Sequence, residues 1–317
     1  LAVIGIDVGG TKTSGILLHD GRIAARTRAA TDTGSSDTVL KGILETIASL
    51  MEKASSLRLE VEAVGLGMAG FIDARRGVVT EAPNLPVKDF PVRDILRRET
   101  GLPVYVDNDA NAAGLAEATL GAGKGLSYLV HLTLGTGIGG AVIIEGKVYR
   151  GSLGSAAELG HMIIKEDGPP CNCGARGCLE ALASGVAIYR QVERLASMNV
   201  DSPMVEDFMK DPLAFEAGDV CRHADEGDRF ALSVLRDAGR YLGIGIATLI
   251  NIFNPDAVTL SGGLLGCFHH MEEEMQREVR ESAIPISGKH ARILRGILGE
   301  DTGPLGAALL TREGTTR

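Results

Sequence analysis

Two segments of this chain follow one plan, and that repetition limits the fold more than any other feature. Ala2 to Asp7 is a mostly apolar run, Gly9-Gly10 makes a tight turn, and Ser14 to His19 and Arg22 to Arg28 read as strands that follow it. The pattern restarts at Tyr128 to Leu134, with Gly135 to Gly140 as the glycine turn and Ala141 to Ile144 as the returning strand. A strand, a glycine turn and a strand, opened twice, predict an internally duplicated architecture. Apolar residues at helical spacing (Val39, Ile43, Ile47, Leu50, Met51) place a helix over Thr38 to Ala54. Val61 to Met68 reads as a buried strand, Val92 to Glu99 as a helix ended by Gly101, Val104 to Val106 as a strand and Ala110 to Leu120 as a helix. In the second half, a long helix over about Asp228 to Phe253 leads to a strand at Ala257 to Leu260 and a glycine turn at Ser261-Gly262-Gly263. A helix near Met271 to Arg280, a strand at Ala291 to Ile297 and a closing helix from Leu305 complete the chain. Helices between strands imply sheets with parallel members. The expected class is therefore α/β, in duplicated domains at 1–117 and 118–302, and 317 residues suffice for two cores.

The two glycine turns carry chemistry as well as topology. In Asp7-Val8-Gly9-Gly10-Thr11-Lys12-Thr13, paired glycines let several amide N–H groups point into one concavity, which binds phosphate oxygens without side-chain charge. Asp7 at the strand end can hold a hydrated Mg2+, while Lys12 or the threonine hydroxyls neutralise or orient phosphate. Leu134-Gly135-Thr136-Gly137-Ile138-Gly139-Gly140 repeats the design. Neither matches the P-loop, whose lysine follows a longer glycine loop and opens a helix.

Composition narrows the partners. A formal charge of −9 argues against a nucleic-acid surface, where clustered Lys and Arg are required. Backbone amides can nevertheless hold an anionic nucleotide locally. With 44% hydrophobic and 23% charged residues, the chain reads as globular. Its most apolar run, Tyr241 to Phe253, is broken by glycines and Asn251 and falls short of the ~20 residues that span a bilayer, so a helix buried between two layers is expected. The first residues enter a strand at once, without a basic segment or cleavage site, from which a cytoplasmic location with reduced thiols is expected.

His161, Cys171, Cys173 and Cys178 form a Cys3His set of the borderline-soft donors that zinc prefers. Gly174 and Gly177 allow the turns that bring sulfurs so close in sequence onto one ion. Four protein ligands leave no open position, which makes such a zinc structural. Glu158 and Glu180 flank the set, so metal and substrate chemistry share one loop. Of the five cysteines, Cys221 and Cys267 have no partner nearby in sequence and read as buried apolar fillers. Asp107-Asn108-Asp109-Ala110-Asn111 lies where a strand ends and a helix begins. One of these residues is expected to cap the helix. Another can accept a proton from a hydroxyl attacking a phosphate, with Asp109 the first choice and Asp107 next.

Taken together, DVGGTKT at 7–13, DNDANAA at 107–113, LGTGIGG at 134–140, ELGH at 158–161, CNCGARGCLE at 171–180, Ser261-Gly262-Gly263 and the Gly303 to Ala308 close resemble the ROK family of sugar kinases and repressors. The resemblance implies an actin-like, hexokinase-like ATPase fold, two α/β domains with a hinged cleft, and a homodimer or homotetramer. The closing helix, 303–317, would pack back on the first domain. It implies Asp109 as catalytic base, and Gly70, Asn84, Asn108, Glu158, His161 and Glu180 beside the sugar with Asp109. It also implies Asp7, Gly9, Gly10, Thr11, Lys12, Gly135, Thr136, Gly137, Gly262 and Gly263 around ATP. ATP, Mg2+ and structural Zn2+ are the cofactors to expect, with no nucleic-acid or membrane partner. The activity implied is phosphorylation of a hexose, glucose at its 6-hydroxyl first. Fructose, mannose, allose, N-acetylglucosamine and N-acetylmannosamine are alternatives, as is a sugar-responsive regulator, whose DNA-binding segment would precede Asp7. Two departures from the family pattern stand out: Gly139-Gly140-Ala141 where many relatives have a third glycine, and Met68-Ala69-Gly70-Phe71 in place of a proline-containing segment, which bears on the shape of the sugar pocket.

Overall fold

The computed structural model describes residues 1–313. Contacts divide the chain into two compact units. One comprises 1–127, 141–157 and the segment from 296 onward; the other comprises 128–140 and 158–295.

In the first unit, β1 (Ala2–Val8) turns back antiparallel into β2 (Lys12–His19), and β3 (Arg22–Ala30) follows. Helix α1 (Ser36–Ser56) leads to β4 (Val61–Met68), parallel to β1. The short strands β5 (Phe71–Asp73), β6 (Val78–Glu81) and β7 (Lys88–Phe90) form an antiparallel meander. Then come α2 (Val92–Thr100), β8 (Val104–Asn108), parallel to β4, and α3 (Asp109–Thr119). The sheet order is β3-β2-β1-β4-β8. Ser35 caps α1 reciprocally with Thr38, and Val39, Ile43, Ile47 and Leu50 bury one helical stripe against Ile4, Ile6 and Leu66.

The second sheet contains β9 (Tyr128–Leu134), β10 (Ile138–Ile144), β11 (Lys147–Val148), β12 (Ala257–Ser261) and β13 (Arg292–Arg295), ordered β11-β10-β9-β12-β13. Each sheet thus has its hairpin on one side of the first strand and parallel members on the other, which bears out the duplication read from the glycine turns. The remaining helices of the second unit are α4 (Leu179–Ala183), α5 (Gly185–Ser197), α6 (Pro203–Lys210), α7 (Ala217–Asp225), α8 (Arg229–Phe253), α9 (Phe268–Ser282) and α10 (Pro285–His290). Helix α8 packs along α9, where Gly239 and Gly243 meet the backbone of Met271 and Met275. Among the described residues, no helix is long and apolar enough to cross a membrane.

The closing helix, α11 (Thr302–Glu313), lies in the first unit against α3, β1 and β4. Glycine in the middle of a strand is costly, and here it has a packing reason. A Cβ on Gly5 would stand 2.6 Å from Ala308 N, and one on Gly65 would strike the carbonyl of Ala307, so α11 rests on bare strand backbone. The last four residues of the expected 303–317 helix lie outside the described residues.

Three expectations need correction. The second glycine turn is only Gly135-Thr136-Gly137, because Ile138 already pairs in β10. The strand expected at Ala291 to Ile297 is confined to Arg292–Arg295, with Ile297 70% exposed. Cys221 and Cys267 are neither isolated fillers nor the reduced thiols expected but form a disulfide across 46 residues of sequence.

Candidate active site

In the first unit, the N–H of Gly9 closes its turn on the Lys12 carbonyl at 3.0 Å, and the Thr11 carbonyl accepts from Thr31 N at 3.0 Å. The amides of Gly10 and Thr11 have no partner among the described residues and are available to an anion. A Cβ on Gly10 would stand 3.1 Å from the Asn84 carbonyl, which places the exposed Asn84 turn beside the first glycine turn. Lys12 is exposed.

The strand end at β8 distributes its polar groups unequally. Asp107 is wholly buried. Its Oδ1 accepts from Asn108 N (2.8 Å) and Asn111 Nδ2 (2.9 Å), and its Oδ2 accepts from Arg150 Nε at 2.6 Å. Burial pushes its pKa up while Arg150 opposes that shift. Asn108 is the helix cap: Oδ1 accepts from Ala110 N (2.9 Å) and Asn111 N (3.2 Å), and Nδ2 donates to the Gly70 carbonyl at 3.0 Å. One Nδ2 hydrogen remains for a ligand. Gly70 has φ +124°, and a Cβ there would collide with Ala82, so the Asn108 contact depends on glycine. Asp109 accepts from the N–H of Ala110 at 2.9 Å, through Oδ1. Its pKa is raised, chiefly by burial. Asp7 is pushed up to about 7 by burial first and by Asp109 second, with Lys12 pulling it down. Asp7 thus offers a hard carboxylate oxygen of the kind that suits Mg2+, with the negative charge of Asp109 nearby.

In the second unit, the amide of Gly135 bonds the Gly137 carbonyl (3.0 Å), and the start of α5 ties the turn from behind, Gly185 N to Gly135 O (2.9 Å) and Val186 N to Thr136 O (3.2 Å). The amides of Thr136 and Gly137 have no partner among the described residues. Gly262, at φ +99°, packs against the backbone of Leu134, so the Gly262-Gly263 turn adjoins this second cradle. Beneath both turns His131 is fully buried, with Nδ1 2.9 Å from Thr259 Oγ1 and Nε2 3.0 Å from Ser261 Oγ. Burial lowers its pKa to about 4.

The Cys3His set converges as the spacing implies: donor atoms of His161, Cys171, Cys173 and Cys178 all lie within 4.8 Å of one another. The positive φ of Gly174 (92°) and Gly177 (72°) makes the bends. Burial and the neighbouring sulfurs push Cys178 up to about 12, so thiolate there at neutral pH requires a cation's charge, and the donors fit zinc. Both ends of this loop anchor at Ile138. Its N–H donates to Glu180 Oε2 (3.0 Å), and its carbonyl abuts Gly160, which sits between the exposed Glu158 and the half-buried His161. Glu180 Oε1 also lies 3.8 Å from the Cys171 sulfur. Sequence reasoning missed Arg150 and His131. A lone histidine in an apolar strand was the only local signal among them.

Comparison with known proteins agrees with this geometry. The ROK family profile matches residues 3–314. The chain is 37% identical to a glucokinase of Thermotoga maritima over 99% of this chain and 98% of that protein. It is 28% identical to a xylose repressor of Bacillus subtilis over 96% of this chain and 75% of that one. Among solved structures, a ROK family glucokinase from Streptomyces griseus in complex with glucose and AMPPNP superposes with a TM-score of 0.84 at 34% identity, covering 99% of this chain and all (100%) of that one. The fold is that of the actin-like ATPases. With a match that spans both glycine turns, the Asp107–Asn111 segment and the cysteine loop, the chain belongs to the ROK family.

Proposed function

We propose that this protein is an ATP-dependent hexose kinase whose preferred acceptor is the 6-hydroxyl of glucose. The carrying observation is the division of labour at the end of β8. Asp107 and Asn108 are committed to structural hydrogen bonds, which leaves Asp109, made more basic by burial, to take a proton. The likeness to glucokinases along nearly the whole chain supports this choice of substrates.

Asp109 accepts the hydroxyl proton as the sugar oxygen attacks the γ-phosphate in line, so catalysis rests on positioning and charge balance. The free amides at Gly10, Thr11, Thr136 and Gly137 receive phosphate oxygens, Gly9 and Gly135 shape those turns, and Lys12 adds charge. Gly262 and Gly263 border the adenosine. Asp7 would hold Mg2+, which when bound would offset triphosphate charge. Asn84, the spare Asn108 hydrogen, Glu158, His161 and Glu180 satisfy sugar hydroxyls, and Gly70 shapes the wall. A polar group left unpaired beside bound sugar would be costly, and this is the source of specificity. His161, Cys171, Cys173 and Cys178 would hold a structural zinc, which when bound would fix the loop that carries Glu158 and Glu180. A homodimer or homotetramer in the cytoplasm, with no nucleic-acid or membrane partner, completes the proposal.

A coupled ADP-release assay across glucose, mannose, fructose, allose, N-acetylglucosamine and N-acetylmannosamine tests it. Glucose is expected to give the highest kcat/KM, with little ADP formed when sugar is omitted. Equal ADP release without sugar, or none with any of these, would overturn the proposal.

A further inference from the structure

A second cluster of metal-binding side chains lies on α7 and α9, away from the cysteine loop in sequence. Asp225 ends α7, and His269 and His270 stand in the first turn of α9. Both imidazoles direct Nε2 at Asp225 Oδ1, His269 at 2.9 Å and His270 at 2.7 Å. Successive side chains on a helix diverge by about 100°. Here the two rings instead lie 4.0 Å apart, and all three donor atoms fall within 4.8 Å of one another.

An independent feature holds the same two segments together. Cys221 lies one helical turn before Asp225 on the same face of α7, and Cys267 immediately precedes α9. Their disulfide, with Cα atoms 5.4 Å apart, fixes the spacing of the backbone stretches that carry the donors. Little ordering then remains for a ligand to impose. Side-chain exposures of 57% for Asp225, 52% for His269 and 15% for His270 leave a way in while one imidazole stays anchored.

We propose that Asp225, His269 and His270 form a metal site distinct from the Cys3His set, taking one borderline divalent cation. Two imidazole nitrogens and one carboxylate oxygen suit zinc, nickel or copper, and water fills the remaining positions. The bound ion would pin the end of α7 to the start of α9, just beyond the segment Gly263–Cys267 that follows the Gly262-Gly263 turn. It does not depend on the kinase reading, because metal binding alone reads it out.

Nickel chloride is the probe, because nickel favours nitrogen and oxygen donors over the thiolate-rich set. Calorimetric titration into the full chain, with zinc already supplied, should show one equivalent bound. Losing a group that merely orients a metal ligand costs about 10–100-fold in affinity, so His269→Gln and His270→Gln should each weaken binding by roughly a hundredfold or more. Asp225→Asn, which keeps the shape, should weaken it in the same direction, while Cys173→Ser leaves nickel binding unchanged. Circular dichroism verifies that each variant is folded. No uptake by the wild type at millimolar nickel, or wild-type affinity in a folded His269→Gln/His270→Gln double variant, overturns the site and leaves a hydrogen-bonded cluster only.

Discussion

The two sheets share one strand order, yet the residues at matching places differ in kind. Counting back from each glycine turn, Val8 corresponds to Leu134, Asp7 to Thr133 and Gly5 to His131. In the first unit the second position before the turn carries a carboxylate, and the glycine deeper in the strand makes room for α11. In the second unit the same depth holds a histidine that ties β9 to β12 through Thr259 and Ser261. Duplication thus supplies two similar glycine turns, each with two amides that have no partner among the described residues. Carboxylates sit at the strand ends of the first unit, whereas the second has a buried histidine below its turn and a loop whose Cys3His donors fit a metal.

The largest expected effect comes from the carboxylate side. Asp109→Asn should lower kcat by about 10²–10⁴ while glucose still binds. Asp107→Asn should instead cost a few kcal/mol, roughly 3, in stability, because it leaves Arg150 beside a neutral amide; unfolding midpoints separate the two effects. Wild-type kcat/KM for glucose should fall on the acid side at a pH above the ordinary carboxylate range, since the base works only when deprotonated and burial raises the pKa of Asp109.

The buried histidine of the second unit should also show itself in a pH series. His131 titrates at about 4 when folded and near 6.5 when unfolded, so the unfolded chain binds more protons between those values. Its contribution is full above pH 6.5 and is lost as pH falls toward 4, by up to roughly 3 kcal/mol. Denaturant titrations should find that slope reduced in His131→Asn; an unchanged slope would remove His131 from the account. Zinc loss ranks next. Cys173→Ser should lower zinc content and raise the KM for glucose by about 10–100-fold, with a smaller effect on ATP, because the loop carries the proposed sugar-side groups. The smallest change is Gly262→Ala: strain at its positive φ and contact with Leu134 should cost about 1–3 kcal/mol and raise the KM for ATP more than that for glucose.

Long periodic segments were legible because their burial follows from pattern: the strand at Tyr128–Leu134 and the helix over Arg229–Phe253 come from the sequence almost unchanged. The meander β5–β7 and helices α4 to α7 were not read. Three-residue strands such as Lys88–Phe90 offer too few apolar positions for a period. The cysteine loop declared itself through spacing, whereas the Cys221–Cys267 bond joins residues whose proximity depends on how α7 meets the segment after β12. Asp109 and Asp107 are indistinguishable as letters. Their separation required the part-buried Arg150 contact, formed by a residue 43 positions away. Asn108 as cap shows the same limit, since the motif suggests a cap and a ligand in one segment but not which residue does which.

The most direct measurement is a rapid-quench single turnover with saturating glucose and ATP, comparing the wild type with Asp109→Asn, alongside calorimetric glucose affinity. The account predicts a phosphoryl-transfer rate reduced by about a hundredfold or more with glucose affinity nearly unchanged. A burst of sugar phosphate at the wild-type rate would show that the proton leaves by another route and would contradict the assignment of Asp109.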